Sequence, residues 1–329
     1  MLMKLKQFSN EICLSAIAVL IICITASYSI VYSNIQNFVV SKVRSNDTSV
    51  YLDMYENVSF GSYQKCRILV PFLVRLLPDF PKDFFSEDRD MSKDYWMARI
   101  KFGMVNFCFL VGCGFILFYF LKNYGFNTLE SITGTLMFYT ARPVIQEAGA
   151  SMVEASAYFF LILCLYAIKK ENILMFCIGF SIGLFAKESV FLVLFLLLFS
   201  NTRFKLKFLY SVIPVILAYL WFRHSVVKFE CFLEMNHFSE MKHKLYGLTH
   251  LNNLLDLFSS FGMLWFPAIF ALKYKKLPKE LYSYCFLVPF LFIIIVFFGL
   301  TLGRALFMAF PVVIPLALFG LRKILDMAK

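Results

Sequence analysis

Residues 173–200 read ILMFCIGFSIGLFAKESVFLVLFLLLFS, and the way this stretch divides decides the fold. Lys187 and Glu188 interrupt what would otherwise be one apolar segment, leaving 173–186 and 189–200 on either side. Each half is shorter than the ~20 residues that a helix needs to cross a bilayer. We therefore predict a helical dip that turns back at Lys187-Glu188, since broken helices are tolerated where they line protein or a watery cavity.

The composition of the whole chain predicts a polytopic membrane protein. Of its 329 residues, 60% are hydrophobic and only 16% are charged, whereas a soluble domain carries roughly a quarter charged residues. The alternating segments of about ten residues that are typical of a membrane β-barrel are missing. We expect an all-α transmembrane helix bundle of about ten segments, two of them short, in one membrane-embedded domain over 1–329.

Basic residues set the expected orientation. The predicted segments are 12–33, 102–121, 128–144, 152–168, 173–186, 189–200, 208–223, 253–272, 281–300 and 305–321. Every second loop is basic, and so are both ends: the residues are Lys4, Lys6, Lys122, Lys169, Lys170, Arg203, Lys205, Lys207, Lys273, Lys275, Lys276, Lys279, Arg322, Lys323 and Lys329. The positive-inside rule places these loops and both termini in the cytoplasm of a multi-pass inner or plasma membrane protein. A single crossing over 173–200 would break this alternation, because it would place Lys169-Lys170 and the Arg203 cluster on opposite sides of the membrane.

The positive-inside rule also explains the net charge of +11. The basic residues form short clusters between apolar runs, so we expect the lipid bilayer, and no nucleic acid, as the partner of this charge. Of the nine cysteines, only Cys66 and Cys231 lie in predicted loops, and a disulfide between them is left open. The four histidines lack the i,i+4 spacing of a helical metal pair and are interpreted as loop residues.

Two long loops face away from the cytoplasm in this arrangement. The first, 34–98, holds eight basic and nine acidic residues of the chain. Within it, 39–55 and 66–77 mix apolar and charged residues at near-helical spacing, which predicts amphipathic helices on the membrane surface. The second, 224–252, contains all four histidines.

Candidate catalytic carboxylates lie in the first of these loops. Asp47 and Asp53 are six positions apart, so they would not share one face of a regular helix. A carboxylate at the interface can act as a general base toward a hydroxyl or bind a divalent cation. The alternative is a solvated loop acid, or for Asp47 a helix cap.

Arginines beside apolar segments are candidates for binding phosphate. Arg67 precedes the apolar, proline-bounded stretch 68–73, and Arg304 lies at the outer start of the last segment. A guanidinium at headgroup level suits recognition of a phosphate. The alternatives are that Arg67 extends to lipid phosphates as an ordinary interfacial arginine and that Arg304 only anchors its helix.

Further charged residues flank the membrane segments on the same predicted side. Glu154 opens an otherwise apolar helix, where it could also simply complement the helix dipole, and Arg142 and Glu147 lie just before it. Charges at a membrane dip, such as Lys187-Glu188, indicate a polar cavity or a functional ion pair. All of these residues come from separate parts of the chain, yet the predicted topology gathers them at one face.

These residues resemble motifs of the GT-C superfamily of integral membrane glycosyltransferases. The similarity is closest to bacterial and archaeal members with an Asp-x3-Tyr…Arg-Ile-Leu-x-Pro first loop. The matching positions are Asp47 to Tyr51, Arg67 to Pro71, Glu154, Lys187-Glu188-Ser189, and Arg304 before Ala309-Phe310-Pro311. The tandem acidic pair common in the first loop of that family is absent here.

The resemblance implies an inverting transferase of cell-envelope polysaccharide biosynthesis. Its donor would be a sugar on polyprenyl phosphate or diphosphate, and its acceptor a glycan, lipid or protein on the extracytoplasmic face. If the roles known in that family apply here, the catalytic candidates are Asp47 and Asp53. The candidates for binding the donor phosphate are Arg67, Lys187 and Arg304. The acceptor pocket would be formed by Arg142, Glu147, Glu154 and Glu188. Whether the reaction needs a divalent cation, Mg²⁺ or Mn²⁺, is left open; if it does, Asp47 is the expected ligand.

Three other classes of protein are compared with this one. A transporter or flippase would carry polar groups near the bilayer midplane and often internal repeats; we find no repeat, and the charges cluster at one interface. A polymerase of lipid-linked glycans would share the outer-face arginines, so the sequence does not separate it. A non-enzymatic scaffold gives no reason for charges at Lys187-Glu188.

Overall fold

The computed structural model of this chain describes residues 2–41, 51, 54, 66–81, 93–149, 152–227, 250–273, 277–298 and 302–327. Every regular element in these ranges is helical, so the predicted all-α class is confirmed. The α-helices are α1 Leu2–Ser41, α2 Leu69–Leu76, α3 Lys93–Asn123, α4 Thr128–Tyr139, α5 Glu154–Lys169, α6 Ile173–Ala186, α7 Leu192–Phe199, α8 Lys205–Val227, α9 Leu251–Ser259, α10 Trp265–Ala271, α11 Lys279–Tyr284, α12 Leu287–Phe298, α13 Leu302–Leu306 and α14 Phe310–Met327.

Four helices in these ranges are long and apolar enough to cross a membrane, namely Ser15–Gln36, Trp96–Asn123, Lys205–Ser225 and Gly303–Met327. The bent pair α9 and α10 is a fifth candidate if it forms one span. Ten crossings are not established, because α4 has only 12 residues and α5 only 16. A 16-residue helix is roughly 24 Å long, less than the ~30 Å hydrocarbon core. The long apolar helices nevertheless support a multi-pass membrane protein.

Large apolar side chains cover the outside of the bundle. On α1 and α8, residues such as Ile21, Tyr28, Leu217 and Trp221 are exposed over about half of their surface or more. Soluble monomers rarely expose contiguous apolar patches of this kind. The same helices would be stable in hydrocarbon, so the surface agrees with the membrane assignment.

The break predicted at Lys187-Glu188 is present in the structure. The side chain of Asn172 caps α6 by accepting a hydrogen bond from the Met175 N–H at 2.9 Å. The helix ends where Lys187 takes an extended conformation, with φ −166° and ψ 141°. One turn of 3₁₀-helix, Glu188–Phe191, then leads into α7. The two charged residues therefore lie at the turn between two short apolar helices.

The segment predicted over 253–272 is bent in the structure. The chain there forms α9 and α10, whose axes differ by 75°. A 3₁₀ turn, Gly262–Leu264, separates them, and Gly262 has φ 51°. This left-handed conformation favours glycine because a Cβ would clash with the backbone. Hydropathy alone does not reveal such a bend, because the two arms taken together are apolar enough to read as one segment.

Helix α5 lies at the centre of the bundle. It is buried on almost every side and packs against α3 and α6. Gly183 of α6 allows the close approach, because a Cβ there would lie 2.8 Å from the Cβ of Phe160. Small residues let membrane helices approach in this way. The packing brings the first residue of α5 beside the last turn of α6, where the charged residues lie.

The predicted amphipathic helix over 66–77 corresponds to α2, with Val70 and Val74 buried and Phe72 exposed. Most of the first loop, including Asp47 and Asp53, lies outside the described residues. The same is true of Cys231, His237 and His243, so the structure does not bear on the disulfide.

Candidate functional site

A buried carboxylate begins α5. The side chain of Glu154 has no exposed surface, and its Oε1 accepts from Lys187 Nζ at 2.6 Å and pairs with Arg304. Its Oε2 accepts a hydrogen bond from the Val153 N–H at 3.1 Å. A charge removed from water is tolerated only when partners satisfy it closely. Two cations from distant parts of the chain satisfy this one.

A second carboxylate, Glu188, is neutralised by arginines. Arg67 Nε donates to Glu188 Oε2 at 2.9 Å, and Arg223 Nη1 lies 3.4 Å from Oε1. Arg67 also donates to the hydroxyl oxygen of the buried Tyr51 at 2.9 Å. Arg67 is thus largely buried and paired with another side chain, unlike an interfacial arginine that extends to lipid headgroups.

We call Arg67, Glu154, Lys187, Glu188, Arg223 and Arg304 the buried charge network. Four of these six described side chains are cationic and two are carboxylates. Burial by itself would raise the pKa of the Glu188 carboxyl, but Arg67, Arg223 and a backbone hydrogen bond together hold that pKa below its usual value. Burial lowers the pKa of the Lys187 ammonium despite the opposing effect of Glu154. The network thus brings four basic and two acidic side chains of the described residues into one buried cluster.

A cleft of about 140 Å³ adjoins this network. Arg142 Nη1 lies 2.8 Å from Asp256 Oδ1 and donates to Ser259 Oγ at 2.6 Å. Asp256 Oδ2 accepts from the Gly303 N–H at 2.7 Å. The lining residues are Arg142, Pro143, Gln146, Glu147, Asp256, Ser259, Gly303 and Arg304. Because Arg304 also pairs with Glu154, it joins the cleft to the buried charge network.

The wall that carries Glu147 has unusual backbone geometry. Residues Val144–Ala148 form a turn of π-helix. Single π turns occur frequently at functional sites. Asn34 of α1 donates from Nδ2 to the carbonyl oxygen of Ile145 at 2.6 Å, which ties this turn to the first helix.

Tyr158 adds a polar group one helical turn after Glu154. Its hydroxyl is buried and has no hydrogen-bond partner within the described part of the chain. It lies within electrostatic range of Glu154 and Arg304. A buried hydroxyl of this kind is costly unless something satisfies it.

A separate set of ion pairs lies at the other ends of the same helices. Arg322, near the end of α14, pairs with Glu130 and donates to the Gly125 carbonyl at 3.0 Å. Lys169, at the end of α5, pairs with Glu280. The charged residues assigned to opposite sides by the sequence are therefore separated along these helices.

The structure brings most of the predicted site residues together. Arg67, Glu154, Lys187, Glu188 and Arg304 meet in the buried charge network, and Arg142 and Glu147 line the adjoining cleft. Asp47 and Asp53 are outside the described residues. In the described ranges, no group of three or more His, Cys, Asp or Glu residues is arranged to hold a metal ion.

Sequence reasoning missed Arg223 and Asp256. Arg223 ends the apolar run 208–223, and Asp256 is the single charged residue of the run 253–272. An ionisable residue within or beside a membrane segment usually faces a partner or a cavity. That signal was present in the sequence for both residues.

Comparison of the chain with known proteins gives no relative: it matches no protein-family model, no curated protein and no solved structure. The arrangement of the charged side chains is therefore the basis on which a function can be inferred.

Proposed function

We propose that this protein is an integral membrane glycosyltransferase of the GT-C type. It would move a sugar from a polyprenyl-phosphate or polyprenyl-diphosphate donor to an acceptor on the extracytoplasmic face. The observation that carries the proposal is the buried cluster of guanidinium, ammonium and carboxylate groups, which Arg304 connects to an open cleft lined by charged and polar residues.

The chemistry of a lipid-linked donor fits this arrangement. A long prenyl chain dissolves in the bilayer, so the phosphate of the donor lies at headgroup depth. Guanidinium and ammonium groups bind phosphate strongly when water is largely excluded. Arg67 and Lys187 are mostly shielded from solvent, and Arg304 is exposed by only 14% of its side chain. These three cations are the donor-phosphate ligands of the proposal.

The reaction itself is a substitution at the anomeric carbon. The acceptor hydroxyl oxygen forms a bond to that carbon, and the bond from carbon to the phosphate oxygen breaks. The bonding electrons leave with the lipid phosphate, whose charge the cations stabilise. The hydroxyl proton passes to a carboxylate acting as general base. We assign that role to Asp47, with Asp53 as the second candidate, and place the acceptor beside Glu147.

The proposed orientation follows the basic residues. Lys169, Arg322 and the neighbouring basic loops would face the cytoplasm with both termini, and Glu154 and Arg304 would face outward. A flippase would want its polar groups near the middle of its spans. In this chain Glu154 is the first residue of α5, and Arg304 lies near the start of the last long apolar stretch, which favours a transferase.

The test is a comparison of lipid-linked and surface glycans by mass spectrometry in cells with and without this gene. Loss of the gene should remove one sugar from the surface glycan and increase the amount of its lipid-linked donor. The wild-type gene should restore the glycan, whereas Asp47→Asn should not. Lys122→Gln, which changes a residue near the end of α3 that is not part of the proposed site, should restore the glycan fully. Unchanged glycans and donors in the deletion strain would contradict the proposal.

A further inference from the structure

Helix α9 has its polar and apolar faces in the reverse of the usual order. Leu254, Leu255 and Phe258 are exposed, while Asp256 lies on the side that faces the cleft and Ser260 is buried. In a soluble protein the apolar face of a surface helix packs inward. The reversal fits a helix whose outer face contacts lipid chains and whose inner face lines a polar cleft.

Both oxygens of the Asp256 carboxylate are held by donors that typically bind anions. Oδ1 lies 2.8 Å from Arg142 Nη1, and Oδ2 accepts the Gly303 N–H at 2.7 Å. A guanidinium and a backbone N–H are the groups that bind phosphate oxygens in proteins. The carboxylate of Asp256 therefore occupies, within its own chain, a site built for an anion.

We propose that Arg142 and the Gly303 N–H form a binding site for the phosphate group of a lipid, and that Asp256 fills this site until the lipid displaces it. The exposed fractions of the side chains are 46% for Arg142 and 34% for Asp256. Ion pairs this exposed are weak, so an incoming phosphate can replace the carboxylate at little cost. The apolar chain of the lipid would lie along the exposed face of α9.

This inference rests on the proposed function and sharpens it. Arg142, which the sequence assigned to the acceptor pocket, becomes a ligand of the donor phosphate. Asp256 becomes a positioning residue that sets how tightly an anion is held, because it competes for the same donors. It also holds Gly303, which directly precedes Arg304 of the buried charge network.

Binding of dodecyl phosphate to the purified full-length protein in a neutral detergent tests the site, with isothermal titration calorimetry as the readout. Asp256→Asn removes the competing charge and keeps an oxygen that can accept the Gly303 N–H. We expect it to bind dodecyl phosphate about fivefold more tightly than the wild type. Arg142→Gln should bind about tenfold more weakly, and in that background Asp256→Asn should give no gain. A merely structural role for Asp256 would not increase affinity.

The matched control is Glu130→Gln, which alters a carboxylate–arginine pair at the opposite end of the bundle and should leave the affinity unchanged. Affinity that is equal or weaker in Asp256→Asn overturns the proposal. If Asp256→Asn does not fold, the affinity of Arg142→Gln is the deciding measurement. Binding of dodecyl phosphate to Arg142→Gln as tight as to the wild type also overturns the proposed site. Inorganic phosphate binding as tightly as dodecyl phosphate would refute the lipid as ligand. The expected affinities together with unchanged glycans in the deletion strain would keep this site and reject the transferase.

Discussion

Glu154 is the residue on which the buried charge network depends most. Its carboxylate is fully buried, and the cations that neutralise it come from Lys187, 33 positions away, and from Arg304. The penalty for removing an ion from water is several kcal/mol, so such a pair persists only when both partners stay in place. Glu154 therefore fixes two cations beside the cleft.

Glu154→Gln should destabilise the protein by about 3–5 kcal/mol, because it leaves buried cations without their counter-ion. The measurement is the free energy of unfolding in detergent, or the midpoint of thermal unfolding where unfolding is irreversible. Asp326→Asn, at an exposed position near the end of α14, is the control and should change little. Equal stability of the two variants would show that Glu154 is not the anchor of the network.

Among the elements, the contact between α5 and α6 sets the geometry of the site. Gly183 allows α6 to approach Phe160 of α5 closely. Lys187 follows α6 directly, so its distance to Glu154 depends on that approach. Helix α9 contributes differently, since its polar inner face supplies Asp256 and Ser259 to the cleft.

Gly183→Leu should push α6 away from α5 and weaken the pair between Lys187 and Glu154. Overpacking a tight contact costs about 1–3 kcal/mol, and the complementing gene should restore less surface glycan. Leu174→Phe adds bulk at an exposed position of the same helix and is the control. Thermal unfolding and glycan analysis of both variants would check this. A wild-type result for Gly183→Leu would mean that the close approach is not required.

At the scale of the whole molecule, the polar residues are divided between the two ends of an apolar bundle. One end has the buried charge network and the cleft, and the other has the pairs of Glu130 with Arg322 and of Lys169 with Glu280. Exposed apolar side chains cover α1 and α8 between these ends. This division is what a bilayer requires of a protein that spans it.

Cysteine labelling in intact cells can test the proposed orientation. Asn252→Cys and Asn201→Cys replace exposed residues near the two ends of the bundle, in a background without native cysteines. A membrane-impermeant maleimide should label Asn252→Cys in intact cells and Asn201→Cys only after permeabilisation. Labelling in the opposite pattern would place the cleft in the cytoplasm and exclude an extracytoplasmic donor.

Much of the fold was predictable because hydropathy and helix breaks are local properties of the sequence. The apolar runs predicted helices, and the charges of Lys187 and Glu188 predicted the break after α6. The bend at Gly262 was not predicted, because no charged residue marks the junction of α9 and α10. Ten crossings are not confirmed in the described ranges, because an apolar run reveals composition better than helix length.

The sequence by itself determined the helical class, the apolar surface and the grouping of charged residues on alternate loops. Only the tertiary structure decided which charges meet: Glu154 with Lys187 and Arg304, and Arg142 with Asp256, 114 positions away. Periodicity and composition act over one helix, whereas ion pairing across such distances depends on how helices pack. In the sequence, the charges of Lys187 and Glu188 predicted only a break between two short helices. In the folded chain, Lys187 pairs with Glu154 and Glu188 pairs with Arg67.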